Sequence, residues 1–280
     1  MPSKGIEVDH AGAMAQPFLK WPGGKRWLWK TLQTLVPTNF NKYFEPFLGG
    51  GAIFFSLNPT AAVLSDINLE LINAHVQVRD NVEAVIARLK RLPISRESYR
   101  RIRAARFKSR LDRAVRFIYL SKTAFNGMYR VNKQGDFNVP FAGQLNRKLF
   151  DSEVLRLASQ RLQSCTLLTR DFSESLKAAK RGDFVYCDPP YTVLHNNNGF
   201  LRYNERLFSW SDQARLAELA RVAVGRGVFV LVSNAGTEHV RLLYRGFQTI
   251  TAQRASCISA STTSRGKVSE FLFVGRPKKA

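Results

Sequence analysis

Two stretches of this 280-residue chain carry residue types and spacing able to do chemistry, one suited to a planar amine and one to a cofactor. Asp188-Pro189-Pro190-Tyr191 follows directly on the apolar run Phe184-Val185-Tyr186-Cys187, which reads as a buried strand. Open α/β sheets bind ligands at the carboxyl edge of such strands. Consecutive prolines forbid helix and stiffen the loop, so a carboxylate, a carbonyl and an aromatic ring are held in a set relation. That set suits an exocyclic base amine, whose lone pair is delocalised into its ring. Donating the amine hydrogens to the Asp188 carboxylate and the Pro189 carbonyl localises the pair toward an electrophile, while Tyr191 holds the base by stacking. Taken alone, the tetrapeptide also fits a rigid turn without chemistry.

The second stretch is Phe44-Glu45-Pro46-Phe47-Leu48-Gly49-Gly50-Gly51, where glycines after a strand let backbone approach a cofactor closely. It departs from two phosphate-binding signatures. Phe54 stands where the dinucleotide fingerprint wants Gly or Ala, and no G-K-[ST] follows for a P-loop. A cofactor without a pyrophosphate fits better, and Asp66, ending the next strand, is placed to accept hydrogen bonds from a ribose. A Gly-rich loop alone is also an ordinary tight turn.

The elements that must hold these groups follow from periodicity. Helical spacing of Trp27, Leu28, Leu32 and Leu35 predicts a helix over 24–36, ended by Pro37. Strands are expected at 43–45 and 61–65 with a helix at 52–57 between them, a β-loop-α-β opening of a doubly wound sheet. Helices are expected at 68–89, 95–107, 111–124 and 151–162, with a hairpin over 128–141 turning at Gln134-Gly135-Asp136. Strands resume at 165–169, 184–187, 228–232, 248–251 and 268–274, with a helix at 211–224. The expected organisation is an extension at 1–16, assigned no function, a catalytic domain of 17–75 and 163–280, and an inserted recognition domain of 76–162.

Composition narrows the partners. Forty-three Lys and Arg against twenty-one Asp and Glu leave a net charge of +22, which attracts a polyanion such as nucleic acid or anionic lipid. No stretch reaches the ~20 apolar residues of a membrane span, and no signal peptide precedes the first organised segment, so a cytoplasmic protein is expected. Cys165, Cys187 and Cys257, and His10, His75, His195 and His239, lack disulfide or metal-ligand spacing. No metal is expected.

Six ordered motifs resemble the Dam-type adenine-N6 DNA methyltransferases, the D12 class with motifs in the alpha order. They are Lys20-Trp21-Pro22-Gly23-Gly24-Lys25, Glu45-Pro46-Phe47-Leu48-Gly49-Gly50-Gly51, Ser65-Asp66-Ile67-Asn68, residues 125–141, Asp188-Pro189-Pro190-Tyr191 and Ser233-Asn234-Ala235-Gly236-Thr237. The likeness spans 17 to about 277. It implies a Rossmann-like S-adenosylmethionine-dependent methyltransferase sheet with an inserted, mainly helical DNA-recognition domain. It further implies S-adenosyl-L-methionine as donor, held by Trp21, Lys25, Glu45, Phe47, Gly49, Gly51 and Asp66, with Asp171 and Phe172 matching a D-F step that meets the cofactor adenine. Asp188, Pro189 and Tyr191 are the implied catalytic residues.

Double-stranded DNA is the implied partner. Lys and Arg crowd residues 88–116 against only Glu97 and Asp112, a face for phosphate contacts or simply a solvated one. The segment Phe125-Asn126-Gly127-Met128-Tyr129-Arg130 to Gly135-Asp136-Phe137-Asn138-Val139-Pro140-Phe141 resembles the family's F/Y-N-G-x-x-R to G-x-F-N-V-P-F, in which the Arg reads the guanine beside the target adenine. Phe125, Asn126, Met128, Arg130 and Pro140 become the DNA-reading candidates, whereas Phe137 and Phe141 are assigned to packing. Adenine must leave the base stack to reach Asp188. Residues 256–270, with Arg265-Gly266-Lys267, resemble the last motif and either touch phosphate or are exposed. The expected activity is methylation of adenine N6 in a short G-A site, GATC being the first to test, by a monomer that acts alone or beside a nuclease of the same specificity. Rival readings are an amide or amine methyltransferase acting on RNA or protein, which typically has Asn in place of Asp188, and a catalytically silent DNA-binding module.

Overall fold

The computed structural model describes residues 15–132, 134–145, 148–191, 208–255 and 267–278. Its strands are β1 (Tyr43–Glu45), β2 (Ala62–Asp66), β3 (Cys165–Thr169), β4 (Phe184–Cys187), β5 (Phe229–Ala235), β6 (Gln248–Ala255) and β7 (Lys267–Gly275). Hydrogen bonds order them as one seven-stranded mixed sheet, β3-β2-β1-β4-β5-β7-β6. β1 is parallel to β2 and β4, and β4 to β5, while β7 runs antiparallel to both β5 and β6. The order begins as a dinucleotide-type doubly wound sheet does and closes on an antiparallel pair. Parallel strands are covered on both faces, and accordingly every residue of β1 and β4 is buried.

Helices are α1 (Trp29–Leu32), α2 (Ala52–Leu57), α3 (Leu69–Lys90), α4 (Arg96–Ala104), α5 (Arg110–Thr123), α6 (Ser152–Leu162), α7 (Phe172–Ala178), α8 (Trp210–Gly225) and α9 (Glu238–Leu243). Capping explains their starts: Asn68, Ser95, Ser109, Asp151, Asp171, Ser209 and Thr237 each accept a backbone N–H of the first turn. The helix expected over 24–36 is shorter, a 3-10 turn at Arg26–Leu28 followed by the single turn of α1. Thr34 Oγ1 donates to the Thr31 carbonyl at 2.8 Å, a local bond that competes with the helical one. The short helices α7 and α9, of seven and six residues, were not expected.

By internal contacts the chain forms two compact units, one of Met1–Trp29, Leu48–Thr60 and Asp66–Thr169, the other of Lys30–Phe47, Ala61–Ser65 and Arg170–Ala280. The first is built on α3, which packs against α5, α6 and β3, with α4 on α5. Leu71, Ala74, Val78, Ile86, Ile118 and Leu162 fill its core. Within it the expected 128–141 hairpin is a narrow ribbon closed by single bridges, Val131 to Phe137 and Ala124 to Phe141, rather than by two strands. The Asn132 side chain accepts the N–H groups of Gln134 and Asp136 at 3.0 and 2.8 Å, tightening the tip into an Asx turn. In the second unit α8 lies on β5 and β7, and Val185, Val230, Leu231, Val232, Leu272, Phe273 and Leu216 are its centre. Among the described residues no helix is long and apolar enough to cross a membrane, and no three His, Cys, Asp or Glu are grouped to hold a metal. Residues 1–14, His195, Cys257 and most of the 256–270 motif, including Arg265 and Gly266, lie outside the described residues.

Candidate active site

Asp188 leaves the carboxyl end of β4, and the parallel register pairing Cys187 with Val232 brings it beside Ser233 of β5. Ser233 Oγ donates to Asp188 Oδ1 at 2.8 Å, and the Tyr186 hydroxyl lies 2.9 Å from the same Oγ. Pro189 is buried. The Pro190 carbonyl accepts from Gln213 Nε2 at 3.2 Å, and Asn234 Nδ2 holds Gln213 Oε1 at 2.8 Å. Tyr191 donates its hydroxyl to the buried Glu270 carboxylate of β7 at 2.8 Å. Burial, then the negative charge of Asp188, raises the phenols of Tyr186 and Tyr191 well above their ordinary range, so both remain neutral donors. Asp188, Pro190 and Tyr191 of the loop are thus each tied to a different neighbour. Ser233 and Asn234 stood in a motif without a role in the sequence, and Tyr186, Gln213 and Glu270 were not among the expected site residues. Only Glu270, an acid inside an apolar strand, left a signal that could have been read.

In the same unit, Glu45 ends β1, adjacent to β4. It is 3% exposed and accepts the Tyr43 hydroxyl at 2.7 Å. Phe47 stacks on Phe172 at 5.3 Å and meets the edge of Phe208 at 5.5 Å. Arg215 lies 4.3 Å over the Phe172 ring while its two terminal nitrogens bind the Asp171 carboxylate at 3.1 and 3.0 Å. Asp171 also caps α7 through the Ser173 N–H. Burial pushes the Asp171 carboxyl up, but the bonds from Ser173 and Arg215 outweigh it and hold the group below the usual range.

The first unit carries the glycine loop. Gly49 and Gly51 adopt φ of 48° and 71°, in the left-handed region that favours glycine. Gly49 N–H donates to Asp66 Oδ2 at 3.1 Å and Asn68 N–H to Oδ1 at 3.0 Å. Burial dominates those bonds and pushes the Asp66 carboxyl up to about 6. A Cβ on Gly49 would come within 2.8 Å of Trp21 Cδ1. The Trp21 ring is in turn stacked with Phe117 at 5.9 Å and Tyr129 at 5.8 Å. Lys25 is buried beside this segment in the chain.

The DNA-reading candidates lie together in the first unit. Phe125 is 48% exposed, and its N–H donates to the Pro140 carbonyl at 2.9 Å, bringing the two ends of the ribbon together. Asn126 is exposed with φ 53°, a conformation uncommon outside glycine. Met128 and Arg130 are half-buried, and Arg130 Nε donates to Asn138 Oδ1 at 2.7 Å, so the guanidinium is already oriented. Phe137 is buried, and Phe141 packs on Tyr99 at 5.2 Å, as their assignment to packing requires. Among the basic residues of 88–116, Lys90, Arg91, Arg96, Arg100, Arg101, Lys108 and Arg110 are exposed. Arg116 is neither a solvated nor an outward group: it binds the Ile102 and Arg103 carbonyls at the end of α4, at 3.0 and 2.7 Å. Arg88 pairs with Asp112, Arg106 with Asp136 and Arg113 with Glu70.

A doubly wound sheet with Asp-Pro-Pro-Tyr at one carboxyl edge and a glycine loop with an acidic strand end defines a class, and sequence comparison makes it specific. A profile of the D12 class N6 adenine-specific DNA methyltransferases matches residues 21–257; the chain belongs to that family and is an adenine-specific DNA methyltransferase. It is 39% identical to a type II methyltransferase of Lactococcus lactis subsp. cremoris, over 92% of this chain and 94% of the relative. It is 35% identical to a DNA adenine methylase of Vibrio cholerae, over 93% and 96%, and 32% identical to the DNA adenine methylase of Escherichia coli K12, over 93% and 95%.

Proposed function

We propose that the chain transfers a methyl group from S-adenosyl-L-methionine to N6 of an adenine flipped out of a short duplex site containing G-A, with GATC the first site to test. The observation that carries this reading is Asp188 itself, a carboxylate fixed at a strand end by Ser233 in a loop whose Pro190 carbonyl and Tyr191 ring are separately anchored. A carboxylate offers about four lone-pair sites, so the bond from Ser233 leaves acceptor capacity for the amine. Asp188 and the Pro189 carbonyl take the amine hydrogens and Tyr191 stacks on the base. Asp188 need not be a strong base, because the amine becomes acidic only as the new bond forms.

The donor fits the residues present. Asp66 is a carboxylate lifted to about 6 by desolvation despite backbone donors, and two ribose hydroxyls supply the further donors that such a group gains from. Trp21, Lys25, Glu45, Phe47, Gly49, Gly51, Asp171 and Phe172 complete the proposed donor-binding set. Phe172 is buried against Phe47 and Arg215 and steadies this part of the set, while Asp171 meets the adenine through a carboxylate already oriented by Arg215. When bound, S-adenosyl-L-methionine supplies an electrophilic methyl on a cationic sulfonium. Residues 17–75 and 163–280 then form the catalytic part and 76–162 the inserted part that meets DNA. Within the latter, Arg130 donates to guanine O6 and N7, and Phe125, Asn126, Met128 and Pro140 enter the space the adenine vacates.

The protein acts as a monomer on double-stranded DNA, and the type II name of the Lactococcus relative supports a companion nuclease of the same specificity. Expression in cells lacking adenine methylation, followed by single-molecule mapping of N6-methyladenine, tests the reading. Methylation confined to one short G-A motif is expected. Dispersed methylation would remove the role given to Arg130, and none at all would leave a silent DNA-binding protein.

A further inference from the structure

Ser233 has a single hydroxyl hydrogen, and it is donated to Asp188 Oδ1 at 2.8 Å. The 2.9 Å contact between Ser233 Oγ and the Tyr186 hydroxyl therefore has one consistent direction, with Tyr186 donating to Ser233. Two hydroxyls form a directed chain that ends on the carboxylate. Both belong to residues sealed from solvent, Ser233 at 0% exposure and Tyr186 at 1%. Hydrogen bonds in such surroundings polarise one another, and donors aimed at a carboxylate favour its charged form.

Holding the loop in place does not explain this chain. Its backbone is anchored by Gln213 on the Pro190 carbonyl, with Gln213 itself held by Asn234, and its ring is anchored by Glu270. What Ser233 adds is a bond to the Asp188 side chain, and what Tyr186 adds is a bond to Ser233.

We propose that Ser233, backed by Tyr186, is a positioning device that sets the Asp188 carboxylate in one rotamer and keeps it ionised as an acceptor for the adenine amine. This rests on the reading of Asp188 as the group that meets the amine. The titratable groups gathered around the chain are Tyr186 and Cys187 on β4, Tyr191 in the loop, Glu45 at the end of β1 and Glu270 on β7. Burial drives Tyr186, Cys187 and Tyr191 upward, away from neutrality, so these three do not titrate in the pH range where the effect is read.

Ser233→Ala removes a donor to the carboxylate. Because a hydrogen bond to a charged group is worth about one pKa unit or more, kcat should fall about tenfold and the acid limb of kcat/KM should move up by about one pH unit. KM for duplex and for S-adenosylmethionine should stay as in the unaltered enzyme. Ser233→Thr keeps the hydroxyl and should restore both kcat and the acid limb. Tyr186→Phe should shift both in the same direction by less, and should add nothing in the Ser233→Ala background, because Tyr186 acts only through Ser233. A native kcat and an unmoved acid limb in both Ser233→Ala and Tyr186→Phe would overturn the proposal. So would equal losses in the Ala and Thr variants that follow their melting temperatures. Asp188→Ala, assayed alongside, separates the two levels. Near-native turnover there removes the reading of Asp188, whereas an inactive Asp188→Ala with an unaffected Ser233→Ala removes only the positioning device.

Discussion

Protonation of Asp66 should weaken methyl-donor binding on the acid side of pH 6. Burial raises this carboxyl from its ordinary 3.8 to about 6 in the donor-free protein. Ribose hydroxyls donating to the charged form would lower it again on binding, so below pH 6 the donor must displace a proton. With a value of about 6, roughly nine-tenths of Asp66 is ionised at pH 7 and roughly a tenth at pH 5. Affinity should therefore fall about tenfold between those two values, equivalent to about 1.4 kcal/mol. The sign for stability follows from the same shift. A raised carboxyl contributes stability to the donor-free fold below about 4, and that contribution is lost as pH rises through about 6, with an upper bound of about 3 kcal/mol. Water reaching the half-buried group makes the actual loss smaller. Calorimetric titration of the DNA-free protein with S-adenosylmethionine at pH 5, 6, 7 and 8, in two buffers of different ionisation enthalpy, reads affinity and proton release together. Asp66→Asn should bind weakly at every pH with no proton release. A wild-type affinity that is flat from pH 5 to 8, or native affinity in Asp66→Asn, would refute the assignment of Asp66 to the ribose.

Arg130→Ala should cost about 1–3 kcal/mol of preference for guanine before the target adenine, measured as relative methylation rates on duplexes differing at that base; unchanged discrimination would move the reading role elsewhere. Duplex affinity should fall linearly with salt on logarithmic axes. Neutralising Lys90, Arg91 or Arg100 should reduce that slope by about one for each phosphate that the side chain neutralises, whereas Arg116→Ala, which uncaps α4, should lower the melting temperature and leave the slope alone. Gly49→Ala places a Cβ within 2.8 Å of the Trp21 ring at a φ of 48°. The backbone alone resists by about 1–2 kcal/mol, so donor binding and tryptophan emission should both change while duplex affinity holds; native donor affinity would show that the loop yields there without consequence.

Much of the fold lies in local patterns. The apolar run before Asp188, the glycines at φ above zero and the capping residues Asn68, Ser95 and Ser109 each restrict backbone within a few residues, and β1, α2, α3, β3 and β4 fall within a residue or so of the elements expected. Elements of one or two turns carry little periodicity of their own: α2 was expected because the glycine loop and a strand on either side frame it, whereas α7 and α9 were not expected. The 128–141 hairpin narrowed to single bridges because its tip is organised by the Asn132 side chain, an interaction that an extended pattern does not encode. By itself the sequence determined which chemical groups are present and in what order, since loop stiffness and strand ends depend on near neighbours. Which groups meet was settled by tertiary packing: strand order and register bring Ser233 to Asp188 across 45 residues and Tyr191 to Glu270 across 79, and the packing of α8 on α7 brings Arg215 to Asp171 across 44. Such pairings exist only after strands and helices distant in the chain have packed side by side, and no local spacing in the sequence records them.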